Sequence, residues 1–325
     1  MTVRILGTGS SLPELTVTND QLAEIMDTSD EWIRSRTGIE KRHIAVKETT
    51  TSMSVAAAKA ALEDAGVAAE ELDLIIVASV STDNCFPSTA CEVQSALAAT
   101  KAVAFDINAA CSGFLFGLSI ARAYFASGIY EKALIIGAET LSKMMDWDDR
   151  STCVLFGDGA GAAVIGKDET GIISMVQGSD GSKGNVILCE NRPVKNPFVK
   201  NEQLENKPVL DYTHMEGQEV YKFAVRTVPK SIEEVLEQGN VTADEVKYFV
   251  LHQANIRIIE SVAKRLGQPI EKFPTNLQRC GNISAGSVPI LLDEIHKEGK
   301  LQRGDKIVLA GFGAGLTWGA ALLSW

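Results

Sequence analysis

Apolar runs alternate along the chain with stretches that have helical spacing. Residues 72–80 and 133–137 are dominated by apolar side chains, as expected of strands that are buried on both faces. Residues 52–65 and 113–126 carry small and apolar residues at helical spacing. This alternation predicts an α/β fold with mostly parallel sheets covered by helices. The other elements predicted in the first half are strands at 3–7 and 102–107 and a helix at 92–99.

The second half repeats this order, which suggests an internal duplication. Its predicted elements are helices at 217–238, 256–266 and 287–298 and strands at 246–251 and 306–310. Strands that begin at 72 and 246 lie 174 positions apart, and those that begin at 132 and 305 lie 173 apart. Both strands of the later pair lead into an F-G-x-G turn and then a strand of small residues. We expect two halves, at 1–170 and 171–325, with an irregular excursion at 178–213 that covers a cleft.

Composition and charge narrow the classes of protein. Hydrophobic residues make up 45% of the 325 positions and charged residues 22%, which excludes a disordered chain. The formal net charge of −11 disfavours nucleic acid as a partner. The six cysteines form no C-x-x-C pair, so a zinc site is not expected. Without a signal-like leader or a long apolar span, we expect a cytoplasmic protein that does not enter a membrane.

Three strand-to-helix junctions carry residues with chemical potential, and each also has a structural explanation. Cys111 opens an apolar helix, where the helix dipole would stabilise a thiolate, although a lone cysteine is usually a buried structural one. His252 follows a buried strand, where it could equally be a core histidine. Asn282 lies in a glycine-flanked turn whose serines could simply cap the helix near Ser287. Together, a thiol, an imidazole and a carboxamide suit acyl transfer through a thioester.

Several motifs along the whole chain, taken together and in order, are specific to one protein family. They are SDEWIRSRTGI, FPSTACEVQ, NAACSGFLFGL, DDRSTCVLFGDGAGAAV, LHQANIRI, GNISAGSVP and GFGAGLTWGAALL. In this order they resemble the β-ketoacyl-acyl-carrier-protein synthase III family. The resemblance implies a duplicated thiolase-like fold with two mixed sheets in a layered α-β-α-β-α arrangement. It also implies a catalytic triad of Cys111, His252 and Asn282. Elongating synthases carry His in place of Asn282, and thiolases carry a second Cys near the C-terminus, where this chain has none.

The implied reaction initiates fatty-acid synthesis by condensing an acyl-CoA primer, expected to be acetyl-CoA, with malonyl-acyl carrier protein. Cys111 would take the acyl group, and His252 and Asn282 would stabilise the enolate formed as CO2 leaves. Backbone N–H groups of Cys111 and Ala314 would bind the oxyanion. CoA thioester is a substrate here, and neither a metal nor another cofactor is implied. A homodimer is expected.

The resemblance also assigns binding residues. Those expected to contact CoA are Trp32, Arg36, Thr37, Arg150, Met215, Gly217, Phe223 and Asn255, with the adenine between Trp32 and Arg150. Those expected to meet the carrier protein are Gln253, Ala254, Asn255, Ile256 and Arg257. Phe86, reaching across the dimer, and Leu316 are expected to line the acyl pocket. Plain core packing is the alternative for Met215, Phe223 and Phe86.

The chain departs from the pattern of this family at two places, and two other functions are compatible with its motifs. Ala314 and Leu316 stand where many relatives have Gly and Phe, which leaves the primer preference undecided. Residues 194–207 have no clear counterpart. Hydroxymethylglutaryl-CoA synthase and plant-type polyketide synthases share the triad logic. The competing functions are a non-condensing acyltransferase or thioesterase-like enzyme that keeps the Cys, and a binding protein with an inactive site.

Overall fold

The computed structural model describes residues 2–191 and 211–325. Within these ranges the helices are α1 (Asn19–Ala23), α2 (Asp30–Thr37), α3 (Thr50–Ala65), α4 (Thr89–Leu97), α5 (Gly113–Ala126), α6 (Gly217–Gly239), α7 (Ile256–Leu266), α8 (Leu277–Cys280) and α9 (Ser287–Lys297). The strands are β1 (Thr2–Ser11), β2 (Thr16–Thr18), β3 (Lys41–His43), β4 (Leu74–Ala78), β5 (Val103–Ile107), β6 (Lys132–Glu139), β7 (Gly159–Asp168), β8 (Ile172–Ser179), β9 (Ile187–Leu188), β10 (His214–Met215), β11 (Tyr248–Leu251), β12 (Lys306–Gly313) and β13 (Thr317–Ser324). None of the helices in these ranges is both long and apolar enough to cross a bilayer.

Two mixed sheets form the frame of the molecule. The first has the order β1-β7-β6-β4-β5, with β4 parallel to both β5 and β6 and β7 antiparallel to its neighbours. The second has the order β11-β12-β13-β8, with β11 parallel to β12 and the other pairs antiparallel. Antiparallel pairs are thus as frequent as parallel pairs in the first sheet and more frequent in the second. The mostly parallel sheets that the alternating pattern predicted are therefore wrong, because β7, β13 and β8 join their neighbours in antiparallel orientation, and the mixed sheets implied by the resemblance are confirmed.

Alternate residues of the central strands pack in different hydrophobic cores, and this alternation reveals the order of the helical and sheet layers. In β4, Leu74 and Ile76 pack with α5 and α9, while Ile75 and Val77 pack with α3 and α4. In β12, Ile307 shares the core of α5 and α9, while Val308 faces α6 and α7. The helices α5 and α9 thus lie between the two sheets, with α3 and α4 outside one and α6 and α7 outside the other. The α-β-α-β-α arrangement expected from the resemblance is confirmed.

The two sheets draw on different parts of the chain. All strands of the first sheet lie between Thr2 and Asp168, and all strands of the second lie between Ile172 and Ser324. This separation supports the division at 170 that we propose for the two halves. The irregular excursion begins later than predicted, because β8 continues to Ser179. Residues 194–207 lie outside the described ranges.

Candidate active site

Cys111 lies at the elbow where β5 leads into α5. A 3-10 turn at Ala110–Ser112 joins the two elements, and Ala110 adopts a positive φ of 45°. The first residue of α5, Gly113, has no room for a side chain, because a Cβ atom there would lie 2.7 Å from the Cβ of Ala78. The small residues around Cys111 therefore let the elbow press against the end of β4, and they fix the thiol at the carboxyl end of the first sheet.

A second elbow of the same form carries Asn282. A 3-10 turn at Ser284–Gly286 leads into α9, and Ser284 has the same positive φ of 45° as Ala110. The side-chain Oδ1 of Asn282 accepts the N–H of Ser284 at 2.9 Å. The backbone of Asn282 is held between Leu155 and Gly157, through hydrogen bonds of 2.9 and 3.0 Å. The amide oxygen is thus occupied, and the amide nitrogen is the end of this side chain that is left for a substrate.

His252 continues the line of β11 by one residue. Its N–H donates to the carbonyl of Ala310 at 2.8 Å, and its ring packs edge-on against Phe312 with centroids 5.4 Å apart. Only 3% of the residue is exposed, and Nδ1 is buried without a hydrogen-bond partner among residues 2–191 and 211–325. Burial lowers the pKa of His252 to about 3. The imidazole is therefore neutral at physiological pH and carries one ring N–H that can donate a hydrogen bond.

Glycines at the end of β12 bring the thiol and the imidazole together. A Cβ atom at Gly311 would lie 3.3 Å from the carbonyl oxygen of Cys111 and 3.8 Å from the Cβ of His252. A Cβ atom at Gly313 would lie 2.7 Å from the backbone nitrogen of Cys111. Cys111, His252 and Asn282 all line one cavity of about 1930 Å³. The three residues that the sequence singled out therefore converge in a single pocket.

Burial dominates the acidity of the Cys111 thiol. It raises the pKa of Cys111 to about 12, and the nearby Glu139 raises it further, while the Ser284 hydroxyl acts in the opposite direction. Shielding of the sulfur from water, in a residue that is half-buried overall, thus acts against the thiolate stabilisation expected from the helix end. The thiol is neutral in this structure and needs a nearby group to take its proton.

Most of the residues expected to bind CoA share this cavity with the triad. Those that line it are Trp32, Arg36, Thr37, Met215, Gly217 and Asn255. Phe223 is not among the lining residues of the described chain. It packs edge-on against Phe312 and Trp318, so its contact with a ligand is at most indirect, and core packing is the better description.

The predicted slot between Trp32 and Arg150 is closed in this structure. The guanidinium carbon of Arg150 lies 5.1 Å from the centroid of the Trp32 ring, and Arg150 also pairs with Asp27 at 3.2 Å. A base held between the two groups needs about 7 Å, which is twice the contact distance of carbon atoms. Arg150 must therefore move away from the indole before a base can enter between them.

The segment expected to meet a carrier protein is only partly accessible. Ala254, Asn255 and Arg257 line the cavity, and Ile256 is half-buried. Gln253 is fully buried, donates to the carbonyl of Leu251 and accepts the N–H of Asn276. The expected contact between its side chain and a carrier protein is therefore wrong, since both ends of its amide are used inside the protein.

The expected acyl-pocket residues differ in their placement. Phe86 lines the cavity with 87% of its surface exposed, and Ala314 lines the cavity beside Cys111. Leu316 is 1% exposed, packs in the core of α6 and α7, and is absent from the lining of the cavity in the described chain. The Leu316 side chain therefore does not line this cavity, and its assignment to the acyl pocket stays a prediction.

Known proteins match this chain over nearly its whole length. The family model described as 3-oxoacyl-[acyl-carrier-protein] synthase III matches residues 105–181, and its C-terminal model matches residues 236–325. A beta-ketoacyl-[acyl-carrier-protein] synthase III of Clostridium perfringens (strain SM101) is 50% identical over 322 residues, covering 98% of each chain. One of Clostridium novyi (strain NT) is 50% identical over 324 residues, covering 99% of each. The chain belongs to the 3-oxoacyl-[acyl-carrier-protein] synthase III family.

A solved member of this synthase III family has the same fold. The crystal structure of the enzyme from Aquifex aeolicus VF5 superimposes with a TM-score of 0.92 at 46% identity, covering 99% of this chain and 100% of that one. Membership of the synthase III family makes the protein a transferase of the condensing, acyltransferase type. The thiolase fold and the family expected from the motifs are thus confirmed.

Three residues near the synthase III triad were missed by the sequence analysis. Glu139 is fully buried at the end of β6, close enough to Cys111 to affect its pKa. Ser284 donates its backbone N–H to the Oδ1 of Asn282, and its hydroxyl lowers the pKa of Cys111. Arg42 is fully buried and donates to the carbonyl of Val154 at 2.8 Å, next to the segment that pairs with Asn282. An acidic residue at the carboxyl end of an apolar strand was a signal that could have identified Glu139.

Proposed function

We propose that the protein catalyses the decarboxylative Claisen condensation of an acyl-CoA primer, expected to be acetyl-CoA, with malonyl-acyl carrier protein. The products are a β-ketoacyl-acyl carrier protein, CoA and CO2, and the reaction would initiate fatty-acid synthesis. The observation that carries the proposal is the convergence of Cys111, His252 and Asn282 in one cavity of a synthase III family member.

In the first half-reaction, the Cys111 sulfur attacks the carbonyl carbon of the acyl-CoA. The C–S bond to CoA breaks, an acyl-Cys111 thioester forms, and the thiol proton ends on the sulfur of the released CoA. The close approach of Gly313 to the backbone nitrogen of Cys111 supports placing the oxyanion donors here, on the N–H groups of Cys111 and Ala314. The imidazole of His252, across Gly311, is a weak base because burial lowers its pKa to about 3, so the transfer of the thiol proton to the CoA sulfur does not require this residue.

In the second half-reaction, malonyl-carrier protein occupies the space that CoA has left. The ring N–H of His252 and the amide nitrogen of Asn282 donate hydrogen bonds to the thioester carbonyl. As the carboxylate leaves as CO2, its bonding electrons form an enolate that these donors stabilise. The enolate carbon then attacks the acyl-Cys111 carbonyl, the C–S bond to Cys111 breaks, and the released thiolate takes up a proton from water to restore the thiol. A neutral His252 suits this role, because it donates a hydrogen bond without losing a proton to the enolate.

The remaining assignments follow from the same pocket. CoA would enter past Trp32 and Arg36 once Arg150 has moved, with Met215 and Gly217 along its path. Loss of CO2 drives the reaction, so the proposal requires neither a metal nor a redox cofactor. The exposed Phe86 side chain at the cavity supports a homodimer in which it closes the partner's acyl pocket. A cytoplasmic location fits a supply of acyl-CoA and carrier protein.

Contact with the carrier protein would centre on Arg257 rather than Gln253. Arg257 is exposed at the start of α7, and its guanidinium donates to the carbonyl of Ser35 in α2 at 2.6 Å. The Asn255 side chain caps α7 and donates to the carbonyl of Arg36 at 2.9 Å. These bonds hold a cationic rim at the cavity mouth, where an acidic carrier would be attracted.

The test is a reaction mixture of the protein, acetyl-CoA and malonyl-acyl carrier protein, analysed by intact-protein mass spectrometry. We expect acetoacetyl-carrier protein from the native chain and none from Cys111→Ala. Acetyl transfer to another acceptor without CO2 release would instead identify a non-condensing acyltransferase. Recovery of both substrates unchanged, with Cys111 unacylated, would identify an inactive binding protein.

A further inference from the structure

The hydroxyl group of Thr317 bridges the two chain segments that lie beside the nucleophile. Thr317 is the first residue of β13 and lines the cavity. Its Oγ1 lies 3.1 Å from the carbonyl oxygens of both Ala109 and Ala314 and 3.2 Å from the Oγ of Ser112. Because a hydroxyl has one proton to donate, the two carbonyls share the proton of Thr317, and its oxygen accepts the proton of Ser112. One side chain thus joins the turn after β12 to the elbow that carries Cys111.

The side chain of Ser112 depends on this contact. Ser112 directly follows the nucleophile in the chain and is fully buried. Among residues 2–191 and 211–325, Thr317 is the hydrogen-bond partner that its hydroxyl has. A buried hydroxyl that loses its partner costs free energy, so Ser112 favours the arrangement in which Thr317 stays against the elbow. The bridge is therefore stabilised from both of its ends.

The far side of the turn is held by different contacts. The backbone of Leu316 exchanges two hydrogen bonds with that of Asp180, at 2.8 and 2.9 Å. Gly315 has a φ of 134°, and a Cβ atom there would lie 2.8 Å from the Cγ2 of Thr317, so a glycine is needed to admit this side chain. Because the far side is anchored separately, the Thr317 hydroxyl sets the position of the side that faces Cys111.

The two N–H groups proposed as oxyanion donors come from the two segments that Thr317 joins. Cys111 is the second residue of its 3-10 turn, where an N–H group has no partner within the turn. The N–H of Ala314, between β12 and β13, has no backbone acceptor in the part of the chain that the structure describes. Donors on separate segments can meet one oxygen atom only if their spacing is fixed, and a displacement of about 1 Å can slow a reaction about 100-fold.

We propose that Thr317 is a positioning residue that sets the spacing of the oxyanion donors on Cys111 and Ala314 during acyl transfer. Its hydroxyl is engaged by protein groups, so it acts through the backbone of the two segments. Loss of the hydroxyl should therefore slow reactions of Cys111 that pass through a tetrahedral oxyanion and spare reactions that do not. The inference rests on the proposed function in taking these two N–H groups as the oxyanion donors.

The test compares two kinds of reaction at the same thiol. Acylation of Cys111 forms a tetrahedral oxyanion, whereas alkylation by iodoacetamide displaces iodide directly and forms none. Acylation is followed by rapid quench and mass spectrometry of the Cys111 peptide, with acetyl-CoA and, separately, with p-nitrophenyl acetate, which needs no CoA site. Thr317→Val keeps the shape of the side chain and removes its hydroxyl. We expect this variant to be acylated about tenfold more slowly by both donors and alkylated at a rate within about twofold of the native one.

Three further variants complete the comparison. Thr317→Ser keeps the hydroxyl and should restore acylation to the native rate. Thr82→Val removes a threonine hydroxyl from another wall of the same cavity, and all three of its rates should match those of the native protein. Thr317→Ala removes the hydroxyl without adding a methyl group, and it replaces Thr317→Val in the comparison if valine disturbs folding.

Two results would overturn the inference. One is acylation at the native rate in the variant that lacks the Thr317 hydroxyl. The other is equal slowing of acylation and alkylation, which would show that Thr317 has a general structural role. A native protein that is acylated by p-nitrophenyl acetate but not by acetyl-CoA would count against the proposed function alone, because the comparison of variants can still be made with the ester.

Discussion

Replacing His252 with glutamine should make the protein more resistant to acid. The buried imidazole has a pKa of about 3 in the folded chain, against about 6.5 when unfolded. Between these values the unfolded state binds the proton and the folded state does not, so stability is lost as the pH falls below about 6.5. Because about pH 4.5 lies about two units below the pKa of the unfolded state, the unfolding free energy at that pH is reduced by on the order of 3 kcal/mol. The glutamine variant lacks this loss.

The assay is urea unfolding at about pH 7.5 and about pH 4.5, at one fixed protein concentration. The change in unfolding free energy between the two pH values should be on the order of 3 kcal/mol smaller for His252→Gln than for the native chain. Subtracting the two changes cancels every group that the proteins share. Equal acid losses in both proteins would refute the conclusion that the imidazole is buried and neutral.

Glu139 provides a matched control of opposite sign. Its pKa of about 7 in the folded chain exceeds the value of about 4.5 when unfolded, so the folded state binds the additional proton and gains stability as the pH falls through this window. Glu139→Gln should therefore lose on the order of 3 kcal/mol more than the native chain over the same pH change. Deviations of the same sign in both variants would show that a general acid effect, and not these two groups, is being measured.

Three further predictions concern individual contacts. Gly313→Ala places a methyl group 2.7 Å from the backbone nitrogen of Cys111. We expect it to slow the acylation of Cys111 by acetyl-CoA about 100-fold in a rapid-quench assay. An unchanged rate would contradict the oxyanion site. Arg42→Met removes the hydrogen-bond donor of the buried Val154 carbonyl, which lies beside the segment that pairs with Asn282. We expect CO2 release from malonyl-carrier protein to slow about tenfold while Cys111 is still acylated. Equal slowing of acylation and CO2 release would argue against a specific effect on Asn282. Trp32→Ala should raise the KM for acetyl-CoA about tenfold in steady-state kinetics without changing kcat, which is the loss of binding expected when one stacking contact with a base is removed. An unchanged KM would place the base elsewhere.

The sequence predicted the buried strands well, because their patterns have only one simple structural solution. The apolar run around Leu74–Ala78 is buried throughout and forms a central strand, and the helix at Gly113–Ala126 has the predicted bounds. The helix Asp30–Thr37 was missed because it buries little and is fixed by its ends, with Ser29 as N-cap and Gly38 in the left-handed region as C-cap. The strand Ile172–Ser179 was also missed, since only two of its eight residues are buried and its apolar pattern is therefore weak.

The candidate site was predictable in its residues but not in its electrostatics. Cys111, His252 and Asn282 follow from their placement at strand ends and from the family motifs. The burial of Gln253 depends on Asn276, which is distant in sequence and approaches only in the folded chain. The raised pKa of Cys111 likewise depends on how completely the fold excludes water, whereas local sequence shows only the helix end. Long-range burial is the property that pattern analysis could not supply.

The most direct test of the account follows the two half-reactions separately in His252→Ala and Asn282→Ala. Acylation is measured as acetyl label on the Cys111 peptide, and decarboxylation as labelled CO2 released from malonyl-carrier protein. The account predicts stoichiometric acylation in both variants, with CO2 release at least about 100-fold slower than in the native protein. Undiminished CO2 release from either variant, or acetyl label on a thiol other than Cys111, would contradict it.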